Sequence, residues 1–389
     1  MKPKLLVTAS TFPRWEGDTE PRFILDLSKA LLEYFDVTVL APMGIGAKTD
    51  EVLEGVNVIR YHYFPIHKWE TLCYPGAIVP RIKEKKIRAL LVPFLIIALW
   101  KKLRAILPEY DLVQAHWIIP QGIIQSLFRK KFIVTSHGTD IMSMNNWLMK
   151  KIKGHCLRKA GAVTVVSEAL KEKALSICKL ENIHVISMGC DTHSFGIQYR
   201  IDNYFNQKDK RVVLFVGRLV EIKGVTYLIE AMRQLDAKLI IVGSGPLEKQ
   251  LKKQAKDMGD KVQFLGSRTH EELRTIYASA DVFVAPSITT EDGAKEGFGL
   301  VIIEAMSSGL PVIGSDSGGI SEIVVNGENG FLVEEKNVHD LRSKIRYLLE
   351  NPSIYQKLKE GAIKTSQKYD YGFIAQRYQK ILNEILNTN

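Results

Sequence analysis

The stretch VVLFVGRLVEIKGVTYLIEAM, Val212 to Met232, decides how the chain is read. A short apolar run, Val212 to Val216, has the length and composition of a buried strand. A glycine-bounded turn, Gly217 to Gly224, follows, and the helical pattern Val225 to Met232 comes after it. Strand, turn and helix in that order make one β-α unit, and such units in series build parallel sheets. The turn also brings backbone N–H groups and the positive end of a helix to one place, which favours an anion such as a diphosphate. Arg218 and Lys223 add fixed positive charge there. Arginines and lysines at surface helix starts are common, so the turn alone does not separate a binding site from a solvated surface.

Outward from this stretch the same alternation continues. Toward the N-terminus, strands are expected near Lys4 to Ala9, Val37 to Ala41, Val56 to Tyr61, Leu112 to Ala115, Phe132 to Ser136, Ala162 to Val166 and His184 to Ser187. Beyond Val216 they are expected near Lys238 to Val242, Val262 to Phe264, Val282 to Ala285 and Pro311 to Gly314. The polar stretch Gly196 to Lys210 lacks a steady period and reads as a linker. With 389 residues, 46% hydrophobic and 25% charged, the chain is an ordinary globular protein long enough for two cores. Two α/β domains with doubly wound parallel sheets are expected, residues 1–195 and 211–368. A ligand is expected beyond the carboxyl ends of the strands, in the cleft between the sheets.

The formal charge of +10 lies wholly in the first half: residues 1 to 200 hold 28 lysines and arginines against 18 acids, residues 201 to 389 hold 25 against 25. That asymmetry fits an anionic partner for the first half or a solvated basic surface. Within it, the twelve-residue apolar run Ala89 to Trp100 is flanked by Arg81, Lys83, Lys85, Lys86 and Arg88, then by Lys101, Lys102 and Arg104. It is too short to cross a bilayer, which takes about 20 residues. A buried core helix with solvated ends is the preferred reading, and a helix lying on anionic lipid is the rival. The four cysteines, Cys73, Cys156, Cys178 and Cys190, show no zinc-like spacing, and a reducing cytoplasm is expected. The basic residues are not interleaved with a stacking aromatic platform, so no nucleic acid is expected as a partner.

Further along, Glu296-Gly297-Phe298-Gly299-Leu300 leads into Val301-Ile302-Ile303-Glu304-Ala305-Met306. Glu296 stands at a helix entry where glycines permit close approach of a ligand. Glu304, two turns on, is a carboxylate among apolar neighbours and needs a partner, either hydroxyls of a ligand or a salt bridge.

Together these segments resemble glycosyltransferase family 4, a group of retaining enzymes with the GT-B architecture of two Rossmann-like domains facing each other across a cleft. The resemblance covers nearly the whole chain. Its most specific part is Glu296 to Glu304, the Glu-x7-Glu pattern, supported upstream by Gly217-Arg218 and Lys223-Gly224. It implies that Arg218 and Lys223 hold a donor diphosphate, that Glu304 binds ribose hydroxyls, and that Glu296 holds hydroxyls of the transferred sugar. It further implies that the backbone from Gly297 through Phe298, Gly299 and Leu300 faces the donor, and that Arg268 stands where the nucleobase is read. In the first domain Ser136-His137-Gly138 follows a strand as the family's His-Gly segment does, which places His137 at the sugar or acceptor. The loop Thr11 to Asp18 departs from the family's Gly-Gly form, having the single Gly17, which is kept among the donor-binding residues.

The activity the resemblance implies is transfer of a hexose-type sugar from a nucleotide-diphosphate donor to a glycan or lipid-linked acceptor, on an acceptor-binding domain 1–195 and a nucleotide-sugar-binding domain 211–368. Domain closure would complete the site, aided by a C-terminal helix, 369–389, crossing back to the first domain. No Asp-x-Asp is present, so neither metal nor cofactor is expected. Cytoplasmic localisation, peripheral at the membrane's inner face, is expected with surface polysaccharide or glycolipid assembly. A GT-B epimerase or phosphorylase, and a non-catalytic glycan- or nucleotide-binding scaffold, are the alternatives.

Overall fold

The computed structural model describes residues 2–18, 20–208, 210–291, 293 and 295–387. Met1, Asp209 of the expected linker, and residues 388–389 of the C-terminal segment fall outside them. The chain divides into two compact units, Met1–Gly189 with Tyr371–Asn389, and Cys190–Asp370.

The first unit is built on an eight-stranded sheet: β1 (Lys4–Thr8), β2 (Asp36–Pro42), β3 (Asp50–Leu53), β4 (Val56–Tyr61), β5 (Leu112–His116), β6 (Phe132–Ser136), β7 (Ala162–Val165) and β8 (Ile183–Val185). Their spatial order is β3-β4-β2-β1-β5-β6-β7-β8, and all pairings are parallel except β3 with β4. The second unit has six parallel strands: β9 (Arg211–Val216), β10 (Ala237–Val242), β11 (Val262–Gly266), β12 (Val282–Ala285), β13 (Val312–Ser315) and β14 (Gly330–Val333). Their order, β11-β10-β9-β12-β13-β14, is the doubly wound order in which the chain steps outward from β9 one way and then returns to build the other. Helices cover both faces, and so β5, β6, β7 and β12 are buried along their whole length.

Two strands escape the sequence reading. β3 is a four-residue edge strand, Asp50-Glu51-Val52-Leu53, whose charge hides its period. β14, Gly330-Phe331-Leu332-Val333, closes the other sheet and is half-buried in its middle, as short edge strands are. The stretch 196–210 belongs to the second unit. The Arg200 guanidinium donates to the carbonyls of Ala278 and Ala280, at 3.3 and 3.1 Å, the Ile201 amide to Ser279 Oγ at 3.0 Å, and Phe205 is buried.

The last helix, Tyr371–Asn387, belongs to the first unit. Its buried residues Ile374, Ala375, Tyr378, Ile381, Leu382 and Ile385 form one stripe, which packs in the same core as Ile24, Leu27 and Leu31 of the helix Phe23–Leu31. Replacing Leu382, which is fully buried, by Ala is expected to cost about 2–5 kcal/mol through lost burial and a residual cavity. Urea unfolding should show a lower midpoint of the first unit's transition, whereas an unchanged midpoint would mean that the helix is not an integral part of that core.

Candidate functional site

The strand order of the second sheet reverses at β9, which pairs with β10 on one side and β12 on the other. Loops leaving the carboxyl ends of β9 and β12 therefore diverge and leave a crevice between them. The first carries Gly217, Arg218 and a single turn, Glu221–Lys223. The second runs to Glu296 and the helix Leu300–Ser307.

Close backbone approach locks these loops together. Gly224 has a left-handed φ of 62°, and a Cβ there would lie 1.9 Å from the Pro286 carbonyl oxygen. The Ile288 amide donates to the Ile222 carbonyl at 2.8 Å. Lys223 is consequently held at Glu296, and its ammonium donates to the Glu296 carboxylate. Both side chains are largely buried, at 19% and 16% exposure. Arg218 is exposed, and among the described residues its guanidinium has neither an acidic partner nor a hydrogen bond. Lys223 and Glu296 line a pocket with Phe215, Ser287 and Gly299, and Arg218 leaves one positive charge over among these three groups.

Gly299, with φ 89°, starts the helix Leu300–Ser307 without any side-chain cap. Among the described residues the amides of Phe298, Gly299 and Leu300 have no acceptor, as expected of a helix start left open for an anion. Gly319, not among the expected site residues, backs this segment: its amide donates to the Glu296 carbonyl at 3.1 Å, and a Cβ there would lie 2.4 Å from the Gly297 carbonyl oxygen. The legible signal was the Gly318-Gly319 pair just after a strand.

Glu304 finds its partner within the protein. The Tyr277 hydroxyl donates to Oε2 at 2.8 Å, and His270 Nε2 lies 3.9 Å from Oε1. Tyr277 is fully buried, and burial holds its hydroxyl proton well beyond the ordinary tyrosine range. Sequence reasoning missed it because a tyrosine on an apolar helix face reads as core. Arg268, after β11, pairs with Glu272 at 2.9 Å beside the capping box of Thr269 and Glu272. It is half-exposed and makes an ordinary i,i+4 helix-surface pair.

In the first unit Gly17 lies exposed on the loop after β1, with φ 78°. Asp18 pins that loop by accepting from the Arg14 amide, Nε and Nη2 at 2.8–2.9 Å. His137, after β6, has its Nε2 2.8 Å from Nδ1 of His116, the last residue of β5, and the two rings lie 10° from parallel. Burial lowers both imidazoles, His137 from 6.5 to about 3 and His116 well below 6.5, so each is neutral at neutral pH. Among the described residues, the buried His137 Nδ1 and His116 Nε2 have no hydrogen-bond partner. Asp140 ties the loops after β5 and β6 together, accepting from the Ile118 amide at 2.7 Å and Ser136 Oγ at 2.6 Å.

Two parallel-sheet α/β units of this order have the architecture of the GT-B glycosyltransferases. The family model Glycosyltransferase Family 4 matches residues 21–194, and the model Glycosyl transferases group 1 matches residues 200–365. The chain is 30% identical over 292 residues to an uncharacterized glycosyltransferase of Methanocaldococcus jannaschii, covering 69% of this chain and 73% of the relative. The chain belongs to the family 4, or group 1, glycosyltransferases. In fold it is similar to sucrose-phosphate synthase from Thermosynechococcus elongatus, with TM-score 0.79, 22% identity and 99% of both chains covered. It is likewise similar to Anabaena HepE, solved in complex with UDP, with TM-score 0.72, 22% identity and 98% and 100% covered.

The histidine pair has a consequence for pH. An unfolded chain takes up protons on these imidazoles as pH falls through 6.5, while folded His137 resists until about 3. The unfolded state binds more protons in that window, so stability is full above it and declines as pH falls. Tm should drop between pH 7 and 5, and drop less in a His116→Gln/His137→Gln variant. Parallel drops would show that the pair carries none of the dependence.

Proposed function

We propose that the protein transfers a hexose-type sugar, with retention of anomeric configuration and without a divalent metal, from a nucleotide-diphosphate donor to a glycan or lipid-linked acceptor on the cytoplasmic side of the membrane, in surface polysaccharide or glycolipid assembly. The observation that carries this reading is the Lys223–Glu296 pair, with Arg218 on the same loop after β9 and, among the described residues, no acidic partner for Arg218 and no acceptor for the amides of Phe298, Gly299 and Leu300. The UDP bound to Anabaena HepE supports a nucleotide-diphosphate donor.

In the proposed step the acceptor oxygen bonds to the sugar's anomeric carbon on the face that the diphosphate leaves. The bond from that carbon to the phosphate oxygen breaks, and the acceptor proton passes to the departing phosphate. Negative charge gathers on the leaving group, and cations placed there in advance lower the barrier. Arg218 meets it as a free cation. Lys223 has three protons and can hold Glu296 and a phosphate oxygen together, which fixes the Glu296 carboxylate for sugar hydroxyls. His137, a neutral imidazole, would meet a sugar or acceptor hydroxyl. Glu304, held through Oε2 by Tyr277, would turn its other oxygen to the ribose.

Lys223→Ala is expected to lower kcat about 10²–10³-fold, the range for removing one preorganised charge-stabilising group, at an unchanged fold by circular dichroism. Turnover near wild type would remove Lys223 from the mechanism. Activity should persist in EDTA, and product of inverted configuration by NMR would overturn the retaining step. Tyr277→Phe should raise KM for the donor several-fold with kcat nearly kept, whereas an equal fall in kcat would place Tyr277 in the chemistry. Incubation of donor without acceptor separates the rivals: an epimerase changes the sugar, a scaffold leaves it untouched, and a transferase at most hydrolyses it slowly.

A further inference from the structure

The apolar run in the first unit is not the buried helix that its letters suggest. The helix Val92–Ile106 buries only Leu95, Leu99 and Leu103, a single stripe. Phe94 and Ile97 are exposed, and the turn Lys86–Leu91 before it buries nothing, with Ile87 72% and Leu90 69% exposed. The patch continues through Phe64, whose ring lies edge-on to Phe94 at 4.9 Å and stacks on Trp69 at 5.9 Å, itself 53% exposed. Side-chain hydrogen bonds tie the backbone beneath them. Arg88 donates to the Arg81 carbonyl at 2.9 Å and to Thr71 Oγ1 at 3.3 Å, and both arginines pair with Glu84. Contiguous exposed apolar surface of this kind marks an interaction site.

Its charge indicates the partner. Lys68, Lys83, Lys85 and Lys86 surround the patch, exposed and, among the described residues, without acidic partners. Exposed apolar side chains ringed by unpaired lysines match a surface that is apolar beneath and anionic on top, a bilayer of acidic lipids. No helix among the described residues is long and apolar enough to cross a membrane, so the contact is one of surface only.

Topology places this patch. β4 and β5 are both members of the parallel set, so the chain leaving β4 at Tyr61 must return to the opposite end to begin β5 at Leu112, and the helix Val92–Ile106 makes that return. Its start, with the turn before it, therefore lies toward the carboxyl end of the sheet. The loops of Gly17 and His137 leave from that end, as does the start of the helix Trp147–Lys159, where Trp147 is 76% exposed with the Lys151 ammonium 5.6 Å from its ring centroid. We propose that this end of the first unit rests on an anionic bilayer through Trp69, Ile87, Leu90, Phe94 and Trp147, and that the acceptor is consequently carried by a lipid. The second clause rests on the transferase reading; the first does not.

Vesicle flotation of the full chain, without donor or acceptor, tests it. Wild-type protein should float with phosphatidylglycerol/phosphatidylcholine vesicles and not with phosphatidylcholine alone. Lys85→Glu/Lys86→Glu and, separately, Ile87→Ser/Leu90→Ser should each reduce the bound fraction about tenfold or more, at unchanged Tm and unchanged nucleotide binding. Equal flotation of wild type and both variants overturns the proposal. So does a wild-type dimer in sedimentation that Ile87→Ser/Leu90→Ser dissolves, which would make the patch a contact between copies. Loss of nucleotide binding in the wild type would instead bear on the transferase reading and leave the bilayer contact standing.

Discussion

Each sheet of this protein turns on one strand pairing, that of its first strand with the strand laid down after the chain reverses: β1 with β5, and β9 with β12. A parallel sheet wound outward in one direction offers a continuous row of covered strand ends. Reversal about a central strand parts two neighbouring loops, and only there can a ligand reach backbone amides at the carboxyl end. Gly217, Arg218 and Lys223 come from one side of the parting in the second unit, Glu296 to Glu304 from the other. Gly224 and Gly319 are glycines because the loops pass too close there for any side chain.

Electrostatically the crevice is balanced. A lysine and a glutamate taken out of water together are tolerated because each answers the other, while either alone would be costly to bury. Arg218, by contrast, is exposed to solvent and has no acidic partner among the described residues. The two imidazoles of the first unit follow the other strategy: they discard charge altogether and remain as directional hydrogen-bonding groups.

Much of this was legible from the letters, and the parts that were not have physical causes. Buried strands announce themselves through uninterrupted apolar runs, as in Val282 to Ala285. Edge strands such as Asp50–Leu53 do not, because half of their surface meets solvent and obeys no pattern. Lys223, Glu296 and the open helix start at Gly299 could be anticipated from charge and glycine placement. Tyr277 could not, since its hydrogen bond to Glu304 spans two helices and leaves no periodic trace. The apolar run 89–100 reads as a buried helix but buries only Leu95 and Leu99, for a related reason: composition reports how apolar a helix is, not how much of it a neighbour covers. Residues 196–210 read as a tether for want of period, yet single side chains, Arg200 and Phe205, bind them to the second unit.

The helix Tyr371–Asn387 makes the second unit an insertion in the first. Cys190 and Tyr369, at the two ends of that insertion, are joined by a hydrogen bond of 2.8 Å from amide to carbonyl. Emerging from the ribosome, residues 190–370 hold everything their own sheet requires and can condense at once. The unit before it keeps its groove over Ile24, Leu27 and Leu31 open until the helix Tyr371–Asn387 arrives. A core assembled from residues on both sides of an inserted unit is thus closed only after that unit has been made, and its groove stays open to solvent until then.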